Sequence, residues 1–367
     1  MNIALVSGLI ILILLVIMLI AGVPIAVALG ISSVVAILPI MDLEVAVVTG
    51  AQRIFSGISM FSLLAIPFFI LAGNIMNKGG IAVRLINLAK LITGRTPGAL
   101  AQTNVIANML FGAISGSGTA AASAMGGCIS PIEEENGYDP AYSAAANIAS
   151  APTGLLIPPT SAFIVYSTVA GGVSISTLFM AGYVPGILMG LCCMLVAFVG
   201  AKKAGMKATG YDKSKSIGKT IWDAVPSLLL IVIVIGGVVS GVFPPPPGAG
   251  IAVLYCLILS IVYKSITFKS FLKILLDSAK TSGIILFLIS ASSAMSWVMA
   301  YTGIPAAISN AIMSISTNKY VILLLMNLVL LVVGMFLDIT PACLIFTPIF
   351  LPIVQSLGMD LVQFGVV

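Results

Sequence analysis

The chain has 367 residues, of which 60% are hydrophobic and only 7% charged, with a net charge of +5 and a mean hydropathy of +1.22. Soluble domains carry about 25% charged residues, so the composition is that of a polytopic α-helical membrane protein embedded in a lipid bilayer. The basic residues sit in a few short loops, which is no nucleic-acid signal. Without histidine, and with five cysteines (Cys128, Cys192, Cys193, Cys256, Cys343) that show no ligand spacing, zinc, haem and iron–sulfur chemistry lack a ligand set.

In chain order, apolar spans fall near residues 3–21, 23–40, 60–77, 145–170, 176–200, 222–242, 247–263 and 282–301. Each approaches the ~20 residues needed to cross a hydrocarbon core of roughly 30 Å. The first span has no basic residue before it and no cleavage-site pattern, so it is read as a span and not a signal peptide. Two further stretches, about 99–130 and about 321–355, are apolar but interrupted by Gly, Pro, Ser, Thr or Asp. Each is long enough for two half-length helices joined by a turn, a re-entrant hairpin.

Charge placement orients this scheme. With the N-terminus outside and each hairpin returning to its own side, every basic residue except Arg53 and Lys319 falls inside. That is the distribution expected from the positive-inside rule. Segments 79–95 and 264–281 mix apolar and basic residues and are read as amphipathic helices along the inner surface.

The sequence repeats itself at an offset of about 221 residues. Pro131-Ile132 followed by Gly137 and Asp139 matches Pro352-Ile353 followed by Gly358 and Asp360, and Thr119 falls on Thr340. Residues 1–220 form the first repeat, with its hairpin and a broken helix about 145–170; residues 221–367 form the second. An odd number of full spans separates the two starts, so the second repeat enters the membrane from the opposite face. Inverted repeats with broken helices are a recurrent plan of secondary transporters.

The chemistry is expected at the breaks. The first hairpin tip reads Ser115-Gly116-Ser117-Gly118-Thr119, where small residues permit a sharp turn and the hydroxyls add oxygen ligands. Such oxygens suit a hard monovalent cation such as sodium. Ser150-Ala151-Pro152-Thr153-Gly154 and Pro158-Pro159-Thr160-Ser161 break the following span and free its carbonyls. At the second tip, Asp338-Ile339-Thr340-Pro341, Asp338 is the only acid deep in an apolar stretch. A charge there costs roughly 2.5–3.5 kcal/mol on insertion scales, which calls for a cation or a hydrogen-bonded pocket; capping of a half-helix is the structural alternative. Asp139 and Asp360 are read as helix caps, and Glu133-Glu134-Glu135 as a solvated inner loop. No Gly-x-x-x-x-Gly-Lys phosphate loop is present, so the chain carries no ATPase of its own.

These residues resemble a known family, the large membrane subunit of tripartite ATP-independent periplasmic (TRAP) transporters. The likeness rests on Phe69-Ile70-Leu71-Ala72-Gly73, Asn77-Lys78-Gly79-Gly80-Ile81, Gly112-Ala113-Ile114-Ser115-Gly116-Ser117-Gly118-Thr119-Ala120, Leu156-Ile157-Pro158-Pro159-Thr160 and Gly334-Met335-Phe336-Leu337-Asp338. It implies an elevator-type fold and sodium-driven uptake of an organic acid, a dicarboxylate or a sugar acid such as sialic acid. It also implies two partners, an extracytoplasmic substrate-binding protein and a small four-helix membrane subunit, in the bacterial inner membrane. Substrate would be met by Ser115, Gly116, Ser117, Thr153, Pro158, Pro159, Asp338 and Thr340. Sodium would be held by Ser115, Gly116, Ser117, Gly118, Thr119, Ser150, Pro152, Thr153, Gly154, Asp338 and Thr340. A stand-alone sodium/carboxylate symporter and a non-coupled channel or scaffold subunit are the competing readings. Two departures from the family pattern stand out. Pro244-Pro245-Pro246-Pro247-Gly248 replaces a Thr-Pro-Thr-Glu-like turn, and the second repeat is read as C-terminally incomplete, lacking a counterpart of the Pro158-Pro159 break.

Overall fold

A computed structural model of the chain describes residues 3–206, 216–315, 318–335, 337 and 339–367, and the described elements are all helices. The first repeat opens with α1 (Ile3–Ile20) and α2 (Ile25–Ile37), then α3 (Leu43–Ile58), a short 3-10 turn, α4 (Ala65–Lys78) and α5 (Ile81–Thr93). Its hairpin is α6 (Ala99–Ser115) and α7 (Gly118–Glu135). The broken helix that follows is α8 (Pro140–Ser150), α9 (Thr153–Leu156) and α10 (Ser161–Val169), and α11 (Ile175–Lys203) crosses back. The second repeat is α12 (Ile217–Val239), α13 (Pro245–Val262), α14 (Phe268–Thr302), α15 (Ile304–Ile315), a hairpin of α16 (Lys319–Gly334) and α17 (Ile339–Ser356), and α18 (Leu361–Val366).

Seven helices among the described residues are long and apolar enough to cross a membrane, or eight if the bent pair Pro140–Leu156 and Ser161–Val169 is one span. α1 shows why: it is apolar all round and buries almost nothing inside the chain, so its surface suits a lipid or helical neighbour. α2, at 13 residues, is a shorter apolar helix than its sequence span suggests.

The repeat offset carries through to the elements. Shifting α7 by about 221 residues lands on the bounds of α17. Pro24 precedes α2 as Pro244 precedes α13, which places the proline run at a helix start, where its missing N–H groups do no harm. Asp139 accepts from the Ala141 N–H at 3.3 Å and Asp360 from the Val362 N–H at 2.8 Å, so both cap the helix after their hairpin.

One difference between the repeats has a local cause. α3 and α4 are separate helices, whereas their counterparts run together as the 35-residue α14, which takes in residues 268–281 of the segment read above as a surface helix. Pro67 sits in the first turn of α4 and cannot donate to a preceding turn. The matching position of α14 is Leu288, which leaves nothing to stop the helix.

The core is built on α4, α13 and α14, where Ile66, Phe69, Ile75 and Met76 of α4 are buried to within 2% exposure, as is Leu63 in the turn before it. The cluster extends through Phe111, Phe163 and Phe179 to Leu344. Hairpin α6–α7 packs on α5, α8 and α9, while α17 packs on α10, α14 and α15. The two hairpins therefore approach one another across the broken helix.

Candidate functional site

The first tip is a helix end and a helix start placed back to back. α6 ends at Ser115, Gly116 takes a left-handed conformation at φ +61°, and Ser117 is extended and caps α7. The Ser117 hydroxyl accepts from the Ala120 N–H at 3.3 Å and lies 3.1 Å from the Thr119 hydroxyl. The tip rests on the break between α9 and α10. Ser161 Oγ donates to the Gly116 carbonyl at 3.3 Å, and a β-carbon on Gly116 would meet the Pro159 carbonyl oxygen at 3.1 Å.

The break is held from behind. Thr160 caps α10 through the Ala162 N–H at 3.2 Å. The fully buried Ser150 and Thr153 hydroxyls donate to the Ala146 carbonyl at 2.7 Å and the Ser150 carbonyl at 2.6 Å. Gly154 crosses Gly112 so closely that a β-carbon on Gly112 would lie 2.2 Å from the Gly154 Cα. Around this crossing the Asn108 amide nitrogen lies 3.0 Å from Asn147 Oδ1 and 2.8 Å from Ser150 Oγ, and the Asn147 amide donates to the Ala122 carbonyl at 2.8 Å. Both arms of the first hairpin are thereby tied to α8.

In front of the tip lies a cavity of about 310 Å³. Three helix N-termini open into it: Gly118-Thr119-Ala120 of α7, Ser161 of α10, and Ile339-Thr340 of α17. The C-terminal end of α6, Ser115 and Gly116, lines the same space. A helix N-terminus carries unpaired N–H groups and about half a positive charge, and a C-terminus the opposite. The cavity thus presents amide donors for an anion beside carbonyl oxygens for a cation, and none of its described lining residues is charged. Asn74 of α4 and Thr281 of α14 complete the wall, with Asn74 Nδ2 held by Ser278 Oγ at 2.8 Å.

The structure sorts the residues expected from sequence. Ser115, Gly116, Ser117, Gly118, Thr119 and Thr340 line one cavity. Pro152, Ser150, Thr153 and Gly154 are not among its lining residues; of these, Ser150, Thr153 and Gly154 brace the tip from behind. Pro158 and Pro159 are absent from the lining too, and the Pro159 carbonyl supports the tip. Asp338 lies outside the described residues. Ser161, the last residue of the break expected from sequence, lines the cavity as well, whereas Asn74 and Thr281 carry no local sequence signal.

Glu133 corrects an expectation. It belongs to no solvated loop: α7 runs through Glu135, and Glu133 is 0% exposed while Glu134 and Glu135 face outward. The cause is helical periodicity, because Ala121, Met125, Ile129 and Glu133 follow one another at four-residue spacing on the buried face.

Comparison with known proteins agrees with this architecture. The family profile described as "Tripartite ATP-independent periplasmic transporter, DctM component" matches residues 12–367. Uncharacterized protein YgiK of Salmonella typhimurium is 50% identical over 351 residues, covering 96% of this chain and 81% of that one. The isethionate TRAP transporter permease protein DctMQ of Oleidesulfovibrio alaskensis is 38% identical, over 95% of this chain and 55% of the longer relative. Among solved structures, the YdaH transporter of Alcanivorax borkumensis matches with a TM-score of 0.58 at 14% identity, covering 89% of this chain and 76% of that one. At that identity the likeness is one of fold alone.

Proposed function

This chain belongs to the DctM component family of tripartite ATP-independent periplasmic transporters, and from that premise we propose that it takes up an organic acid by sodium-coupled secondary transport. As a large permease subunit it is a multi-pass membrane protein and not an enzyme. It works in the bacterial cytoplasmic membrane, N-terminus outside, with a small four-helix membrane subunit and an extracytoplasmic substrate-binding protein.

The observation that carries this reading is the convergence of three helix N-termini on a cavity that also holds a helix C-terminus and none of whose described lining residues is charged. An organic anion such as a dicarboxylate, a sugar acid or a sulfonate is held by amides at the starts of α7, α10 and α17, with Ser161, Thr340 and Asn74 adding side-chain bonds. Sodium takes the carbonyls and hydroxyls of Ser115, Gly116, Ser117 and Thr119, and a second ion is met by Asp338 beside Thr340. Ser150, Thr153 and Gly154 keep the first tip in shape. In transport the hairpins and the broken helix move as a unit against a scaffold that includes α1 and α12. A relative named for isethionate, a small sulfonate, supports an organic-anion substrate.

The test is uptake by the complete complex in proteoliposomes. Uptake should follow an imposed sodium gradient without ATP, and Asp338→Asn should raise the sodium needed for half-maximal rate by about tenfold, the equivalent of roughly 1.4 kcal/mol. Equal uptake with potassium on both sides and no proton gradient would sink sodium coupling. Normal sodium dependence in Asp338→Asn would leave that carboxylate a structural cap, since Asn and Asp cap about equally well.

A further inference from the structure

The far end of α7 from the tip holds a second ionisable arrangement. Glu133 is 0% exposed, and neither carboxylate oxygen has a hydrogen-bond partner among the described residues. Beside it is Ser143 of α8, 4% exposed, whose hydroxyl also lacks a partner. α7 packs on α6, α8 and α9. α6 and α9 carry no titratable side chain, and α8 carries only Tyr142, which feels the Glu133 charge. The remaining titratable groups are local: Cys128, Glu134 and Glu135 on α7 itself, and Tyr138 and Asp139 in the turn. Tyr138 accepts from the Leu100 N–H at 3.3 Å and packs in an apolar cluster with Leu100, Ala101 and Ala197. No described lysine or arginine pairs with Glu133.

An ionised carboxylate buried without a partner costs several kcal/mol. A neutral carboxylic acid removes that cost, because its O–H is a donor and the Ser143 oxygen an acceptor. One proton removes the charge and gives Ser143 Oγ and one carboxyl oxygen a shared hydrogen bond. A metal ion would need more ligands, and no group of three or more acidic, His or Cys side chains occurs among the described residues.

We propose that Glu133 and Ser143 form a proton-binding site that latches the foot of the first hairpin to α8. The carboxyl is carried protonated, its O–H donated to Ser143 Oγ, and it releases the proton to water only when α7 parts from α8. α7 runs unbroken for 18 residues, about 27 Å, with Pro131 two residues before Glu133, so the foot and Ser117 and Thr119 at the tip belong to one helix. The latch is independent of which substrate or ion the tip holds.

Linkage gives the sign. α7 is not among the membrane-spanning helices, and burial pushes the Glu133 carboxyl up, with the neighbouring Ser143 hydroxyl opposing in part. Below the unfolded value, near 4.3, both states are protonated and nothing is lost. As pH rises above it the unfolded chain ionises first, so the folded state loses stability until the raised value is passed.

Infrared spectroscopy of the assembled complex in detergent tests this directly. At neutral pH the wild type should show the carbonyl-stretch band of a neutral carboxylic acid, absent in Glu133→Gln and shifted in Ser143→Ala. Over the same pH range the wild-type melting temperature should fall as pH rises, and that of Glu133→Gln should stay level. An identical band and an identical pH dependence in wild type and Glu133→Gln would overturn the site. If Glu133→Gln does not assemble, Ser143→Ala decides, since a band that does not move refutes the bond to Ser143.

Discussion

Gly116→Val is expected to abolish uptake while full-length protein still reaches the membrane. Gly116 sits at φ +61°, where any side chain is strained by about 1–2 kcal/mol and a β-branched one by more. The added β-carbon would also lie 3.1 Å from the Pro159 carbonyl oxygen and 3.2 Å from the Ser161 nitrogen and the Thr160 Cα. All three are backbone or backbone-fixed atoms of the break, so the clash cannot be relieved by a rotamer change. Either the tip lifts from α10 or the break opens, and in both cases the carbonyls of α6 and the amides of α10 no longer face one space. Gly116→Ala should retain a small part of the activity. Uptake near the wild-type rate in Gly116→Val would show that the tip geometry does not serve transport.

Gly112→Val should have its largest effect on the fold itself. A β-carbon at Gly112 meets the Gly154 Cα at 2.2 Å, and one at Gly154 meets the Gly112 Cα at 2.3 Å. Two backbones touch, so α6 and α9 must separate and the buried amide cluster of Asn108 and Asn147 is pulled apart. Overpacking typically costs about 1–3 kcal/mol, and each buried polar group left without its partner adds about 1–3 kcal/mol. Thermal unfolding of the complex in detergent should show a large fall in midpoint. The control is Gly127→Ala on the exposed face of α7, where an added β-carbon meets nothing within 4 Å. That change should be neutral or stabilising by up to about 1 kcal/mol, the helix preference of Ala over Gly. Equal midpoints in the two variants would remove the close approach as a structural determinant.

Much of the architecture is legible in the chain because membrane helices announce themselves by composition. The hairpins show as apolar runs interrupted by small residues, and the recurrence of Pro-Ile, Gly and Asp at one offset ties them together. The caps at Asp139 and Asp360 could be read for the same reason, since capping is local chemistry. What depends on neighbours distant in sequence was not legible. Asn74 and Thr281 are ordinary polar residues of α4 and α14 until the folded chain brings them to one wall with Thr119 and Thr340. Asn108 reads as one amide among several on α6, and its role appears only when α8 supplies Asn147 and Ser150. Ser150 and Thr153 were read as ion ligands because hydroxyls beside a proline look available. In the structure their protons go to two backbone carbonyls of α8, those of Ala146 and Ser150. Glu133 misled because three successive acids resemble a solvated loop, whereas the four-residue spacing from Ala121 through Ile129 already pointed its side chain inward.

The convergence of the two hairpins on one cavity is open to a direct measurement. Single cysteines placed at Thr119 and at Thr340, in the complex with its native cysteines replaced, can be labelled with a hydrophilic maleimide. Sodium alone should slow the reaction at both positions, and sodium with the transported acid should suppress it at both, because one bound pair fills the space that the two side chains share. Labelling rates that ignore sodium and substrate at both positions, or that respond at Thr119 and not at Thr340, would contradict a common site between the tips.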